Sequence, residues 1–146
     1  MLGAMHTTLP VALALIFALL GAWHFYMAFS SPKGASGAVP SIGGKPLFVP
    51  SAMATFGVGV VLLLFAALVS ATSGLISLGL PQYILRGLCF VLALGLLARA
   101  IGEFKHVGLF KRNRGSRFAT LDTYVYSPLC LLLSVGVALV AAHNGA

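Results

Sequence analysis

The sequence predicts an all-α, polytopic membrane protein: a bundle of four transmembrane helices that forms a single domain, residues 1–146. Of the 146 residues, 60% are hydrophobic and 8% are charged, against roughly 25% charged residues in ordinary globular proteins. A soluble domain of this length could not bury so much apolar surface in one core, whereas a bilayer solvates it. The alternation of period two that is typical of a membrane β-barrel is absent from the sequence.

Four apolar stretches are long enough to cross a bilayer. Each approaches the roughly 20 residues that span about 30 Å of hydrocarbon as a helix, and helices are expected because backbone groups facing lipid must bond internally. The predicted helices run from about Leu9 to Phe29, Ala52 to Ser73, Tyr83 to Phe104 and Thr123 to Ala142. Pro128 removes one hydrogen bond inside the last of them and is expected to kink it.

The positions of the basic residues predict the orientation of these helices. Seven of the nine Lys and Arg residues fall in the first and third connections, and the second connection and both termini hold none. The positive-inside rule therefore places the two basic connections in the cytoplasm and both termini outside. Because the net charge of +7 is gathered at helix ends, we expect lipid phosphate, and not nucleic acid, as its partner.

Arg99, Glu103 and His106 form a candidate polar stripe near the cytoplasmic end of the third helix. Arg99 and Glu103 are one helical turn apart and share a face. An ionisable group about 8 Å inside the predicted helix end costs a few kcal/mol unless it is paired or hydrated. We expect Arg99 and Glu103 to pair, either as a purely structural ion pair or as part of a polar pocket open to the cytoplasm.

Asp122 and Tyr126 share a face at the start of the predicted fourth helix. Asp122 is expected to act as the N-cap of that helix, accepting hydrogen bonds from its first turn. The alternative is that Asp122 performs acid–base chemistry together with Glu103. Arg99 and Arg117 are the obvious ion-pair partners of these two acids, which are the only two in the chain.

His24 lies near the cytoplasmic end of the first helix, at roughly the depth of the polar stripe. Two interpretations stay open: a hydrogen-bonded packing residue, or a ligand that holds haem or a metal ion together with His106. Because no further His or Cys cluster completes such a site, we predict no metal and no cofactor.

The third connection is the candidate surface for lipid headgroups. Five basic residues fall within thirteen positions, with phenylalanines interleaved among them. Such a segment beside a membrane helix is typical of one that contacts anionic lipid. The candidate headgroup residues are Lys105, Lys111, Arg112, Arg114 and Arg117.

Several motifs together resemble a bacterial membrane family, domain of unknown function 3995. They are the segments from Arg99 to Lys111, from Arg117 to Tyr124, from Tyr126 to Cys130 and from Gly43 to Phe48, with a histidine near the end of the first helix. The usual His-x-x-Trp-Ala of that family is here His24 to Ala28, with methionine in place of tryptophan. The resemblance implies a multi-pass protein of the cytoplasmic (inner) membrane, and it implies no activity.

Two hypotheses about function stay open. The first is a binding or accessory membrane protein that contacts anionic lipid, a partner membrane subunit or a second copy of itself at the cytoplasmic face. The second is a membrane-embedded enzyme or small transporter with a polar cytoplasm-facing site. A cavity lined by the polar residues would favour the second hypothesis, and closed ion pairs would favour the first.

Overall fold

The computed structural model describes residues 2–30, 39–42, 45–102, 106–112 and 115–143, and this part of the chain is mainly α-helical. In chain order the elements are α1 (Leu2–Phe29), β1 (Ser41–Ile42), β2 (Lys45–Pro46), α2 (Ala52–Thr72), α3 (Gln82–Ile101), α4 (Arg117–Leu121), a π-helical turn (Asp122–Tyr126) and α5 (Ser127–His143). The last three elements are continuous and form the fourth span. The two short strands pair antiparallel.

Four segments of the described chain are long and apolar enough to cross a membrane, which confirms the predicted fold class. They are Thr7–Phe29, Ala52–Thr72, Gln82–Ile101 and Arg117–His143. The protein is therefore a multi-pass, four-helix membrane protein.

Three helix ends differ from the prediction by more than one residue: α1 begins at Leu2 and not at about Leu9, and the other two differences occur beside the third connection. α3 ends at Ile101, because Gly102 takes a φ of 79° that leaves the helical conformation. The fourth span begins at Arg117, because the hydroxyl of Ser116 accepts a hydrogen bond of 3.1 Å from the backbone N–H of Ala119. Ser116 is thus the N-cap, and the prediction that Asp122 caps this helix is wrong.

Successive helices alternate in direction. The ring of Phe17 meets Phe65 and the ring of Phe25 meets Phe56, so α1 and α2 run antiparallel. The hydroxyl of Ser134 donates to the carbonyl of Ala93 at 2.8 Å and Nε of Arg86 donates to the carbonyl of Ala141 at 3.0 Å, so α3 and the fourth span also run antiparallel. One end of the bundle therefore holds the end of α1, the start of α2, the end of α3 and the start of the fourth span; it is called the basic end below.

α1 packs mainly against α2, and α3 packs mainly against α5. The first pair approaches closely at Gly59, where a Cβ would stand 2.6 Å from the ring of Phe25. Phe17, Val69, Cys89 and Val137 are fully buried between the two pairs and form the centre of the core. Many other apolar side chains are exposed on the outer faces of the helices, as expected where lipid is the solvent.

Candidate functional site

A buried carboxylate, that of Asp122, organises the basic end. Its Oδ1 accepts a hydrogen bond of 2.9 Å from Nη2 of Arg99. Its Oδ2 accepts bonds of 2.7 Å from the backbone N–H of Gly108 and 3.0 Å from Nζ of Lys111. The side chain is 0% exposed. Through these hydrogen bonds, α3, the third connection and the fourth span all meet at one carboxyl group.

The third connection reaches Asp122 because it folds back over the end of α3. The N–H of Leu109 donates to the carbonyl of Ala100 at 2.9 Å. Gly108 has a φ of 97°, and a Cβ on it would stand 2.2 Å from the carbonyl oxygen of Ile101. Only glycine fits such a backbone-on-backbone contact in the left-handed region, and this contact aims the Gly108 N–H at the carboxylate.

Lys111 points into the protein. Its ammonium is 0% exposed and donates to the carbonyl of Gly108 at 3.0 Å, to Asp122 at 3.0 Å and to Oγ1 of Thr123 at 2.6 Å. These three acceptors match the three N–H donors of a lysine. The expectation that Lys111 contacts lipid headgroups is therefore wrong, because its ammonium is buried. A run of basic residues after a membrane helix does not reveal which of its side chains turns into the protein and which stay on the surface.

Arg99 pairs with Asp122, one of the two acids proposed for it from the sequence. The expected pair with Glu103 involves a residue outside the described part of the chain. Because α3 ends at Ile101, Arg99 lies in its last turn, about 3 Å from the end and shallower than the sequence suggested. A cation in that position also interacts favourably with the negative end of the helix dipole.

A π-helical turn follows directly after Asp122. It spans Asp122–Tyr126, and the N–H of Ser127 closes it by donating to the carbonyl of Asp122. Pro128 has no N–H to give to the carbonyl four residues earlier, and the wider turn precedes it immediately. Such turns often occur at functional sites. The structure thus shows a local widening of the helix directly before Pro128, within the polar site, and the predicted kink stays a prediction.

The remaining candidate residues take separate positions. Nδ1 of His24 is 2.7 Å from the carbonyl of Leu20 in its own helix, which agrees with the packing interpretation. Tyr126 is partly buried, and its ring lies 6.0 Å from that of Phe118. His106 is partly buried in the third connection. Within the described residues, no group of three or more His, Cys, Asp and Glu side chains is placed to hold a metal ion.

Of the five candidate headgroup residues, two are described and exposed. Arg112 and Arg117 lie on the surface of the basic end. Lys105 and Arg114 lie outside the described residues. Lys45, on β2 of the first connection, is a further exposed cation; it belongs to the Gly43 to Phe48 motif but was not among the predicted headgroup residues.

Comparison with protein families decides where the chain belongs. A family model described as a protein of unknown function (DUF3995) matches residues 17–137. The chain belongs to the DUF3995 family. The resemblance found in the sequence is thereby confirmed. No curated protein and no solved structure matches the chain.

The residues that form the Asp122 site lie inside the DUF3995 match. Sequence reasoning singled out Arg99 and Asp122 and missed the parts played by Gly108, Lys111 and Thr123. Their roles depend on the fold-back of the loop, which no spacing rule describes.

The arrangement in this DUF3995 protein is a closed ion-pair network. The carboxylate of Asp122 accepts bonds from two cations and one backbone amide, so it is engaged in holding three segments together. A general base must be within hydrogen-bonding reach of a proton on its substrate, and the Asp122 side chain is fully buried. The network is thus suited to fixing the shape and the charge of the basic end.

Proposed function

We propose that this DUF3995 protein is a binding or accessory protein of the bacterial cytoplasmic membrane, and that its basic end binds anionic lipid. The proposal is based on the different positions of the basic side chains at that end, one of which is buried while three are exposed. Lys111 turns inward to Asp122, whereas Lys45, Arg112 and Arg117 are exposed.

The acid that the structure describes is engaged inside the protein. Asp122 is buried, and its two oxygens are taken by Arg99, Lys111 and the Gly108 amide. Among the described residues, the charged side chains exposed at the basic end are therefore all positive. Each basic residue close to an anionic membrane surface contributes about 1 kcal/mol of attraction.

Exposed aromatic side chains accompany these cations. Tyrosine and tryptophan are enriched where a membrane meets water, because their rings are apolar and their tips are polar. The exposed aromatic residues described toward the basic end are Trp23, Tyr26, Phe29, Phe48, Phe56, Phe110 and Tyr124. With the basic residues, they favour an end that rests at the headgroup level of one leaflet, which we assign to the cytoplasmic leaflet.

The buried and fully engaged carboxylate of Asp122 also favours binding over chemistry or transport. Arg99, Lys111 and Asp122 are joined by ion pairs, the arrangement that supports the first of the two functional hypotheses. An enzyme or a transporter would need polar groups that reach a substrate. The basic and aromatic residues named above are among the exposed side chains described at this end, and their chemistry suits a phospholipid headgroup.

Native mass spectrometry of the full-length protein tests this proposal. The variant carries Lys45→Gln, Arg112→Gln and Arg117→Gln, and its control carries Arg86→Gln at the opposite end. Three cations at about 1 kcal/mol each predict a loss of anionic-lipid retention of about two orders of magnitude, with retention kept in the control. Equal retention of phosphatidylglycerol by the triple variant and the unmodified protein would refute the proposal.

A further inference from the structure

Among the residues that the structure describes, the positive charge of the buried network exceeds the negative charge. Two cations, Arg99 and Lys111, share the single carboxylate of Asp122, so these three side chains carry a formal charge of +1. The ammonium of Lys111 is completely enclosed and bonded to three oxygen acceptors. The excess charge is therefore associated with Arg99.

The guanidinium of Arg99 has hydrogen-bonding capacity left over. Nη2 bonds to Asp122, whereas the buried Nη1 has no acceptor among the described residues. A buried donor without a partner is costly, and such groups commonly mark the position of a bound water or ion. The Arg99 side chain as a whole is 36% exposed although Nη1 itself is buried, so part of this residue is accessible from outside the chain.

The exposed face of α3 beside Arg99 has an open track along it. Gly87, Val91 and Gly95 precede Arg99 at intervals of four residues and so form one row with it, inclined by about 26° to the helix axis. A Cβ at Gly95 or Gly87 would have no atom within 4 Å, and Val91 is 67% exposed. The track from Gly87 to Arg99 is about 18 Å long, close to the roughly 15 Å depth of the hydrocarbon in one leaflet.

We infer that Arg99 and this track bind one phospholipid. A phosphate oxygen of an anionic lipid lies on the guanidinium of Arg99, and one acyl chain follows α3 past Gly95 and Gly87. A guanidinium matches phosphate oxygens with paired N–H groups, and the added negative charge balances the network. The inference rests on the proposed function and names the site where the lipid is bound.

The test measures the thermal unfolding midpoint of the full-length protein in an uncharged detergent against added phosphatidylglycerol, phosphatidylcholine or inorganic phosphate. Arg99→Lys keeps the positive charge but loses the paired N–H groups of the guanidinium. Gly95→Leu fills the open row along α3 and leaves the side chains of Arg99, Lys111 and Asp122 unchanged. Matched controls are Arg86→Lys and Gly57→Leu, since Gly57 is an open glycine on α2. We expect both test variants to bind phosphatidylglycerol at least tenfold more weakly, and both controls to bind it as the unmodified protein does.

The outcomes separate this inference from the proposed function. If the unmodified protein does not prefer phosphatidylglycerol to phosphatidylcholine, both fail. If it does, and Gly95→Leu binds phosphatidylglycerol unchanged, the inference alone is overturned; this variant remains decisive should Arg99→Lys fail to fold. Stabilisation by inorganic phosphate equal to that by phosphatidylglycerol also overturns the inference, because the track would then contribute nothing.

Discussion

Replacing Asp122 by asparagine should be among the most damaging single changes in the described chain. The substitution removes the charge that Arg99 and Lys111 share while almost keeping the shape of the side chain. The ammonium of Lys111 would then be fully buried without its anion. Removing one partner of a buried ion pair costs about 3–5 kcal/mol of stability. At roughly 1.4 kcal/mol for each factor of ten, this lowers the ratio of folded to unfolded protein by about two to three and a half orders of magnitude.

Equilibrium unfolding in mixed micelles, followed by the fluorescence of the single tryptophan, Trp23, measures this loss. The double variant Asp122→Asn with Lys111→Met removes the stranded ammonium together with its partner. It should be more stable than the sum of the two single changes predicts, by about 1–3 kcal/mol. A loss below about 1 kcal/mol for Asp122→Asn, or additive effects in the double variant, would refute the description of this network.

Three further predictions concern the loop, the helix contact and the topology. Gly108→Ala places a Cβ 2.2 Å from a carbonyl oxygen and should lower the free energy of unfolding by about 1–3 kcal/mol. Gly115→Ala, with open space around its Cβ, should have little effect. Equal effects of the two substitutions would contradict the fold-back of the loop. Gly59→Ala should destabilise the protein by about 1–3 kcal/mol, because the added methyl group overpacks the contact with Phe25. Gly57→Ala should destabilise it by no more than about 0.5 kcal/mol. Both losses are measured by the same unfolding experiment, and equal losses would contradict the α1–α2 contact. A periplasm-active reporter fused after Ala146 should be active, and activity of a cytoplasm-only reporter there would reverse the predicted orientation.

The fold could be predicted from the sequence because hydropathy alone decides it. Four stretches of about 20 apolar residues have few alternatives to four membrane helices, and the structure has those helices. The ends beside the third connection were harder to predict. The helical turn from Arg117 to Leu121 contains polar residues and is short, so it resembles loop until the Ser116 cap is recognised.

The polar site was only partly predictable. Helical spacing brought attention to Arg99 and Asp122, which do meet, but it suggested a partner for Arg99 on the same helix. The actual pairing joins residues 23 positions apart and depends on how two helices align. Lys111 illustrates the same limit: its inward direction follows from the positive φ at Gly108 and the fold-back onto Ala100, which are properties of the folded loop.

The lipids that remain with the unmodified protein after mild purification test its proposed function most directly. The protein would be extracted from bacterial membranes in an uncharged detergent, and the retained lipids would be quantified against the bulk membrane by native mass spectrometry. Because Lys45, Arg112 and Arg117 are exposed, anionic phospholipid should be enriched severalfold over phosphatidylethanolamine. Retained lipid with the same composition as the bulk membrane would contradict binding of anionic lipid at the basic end.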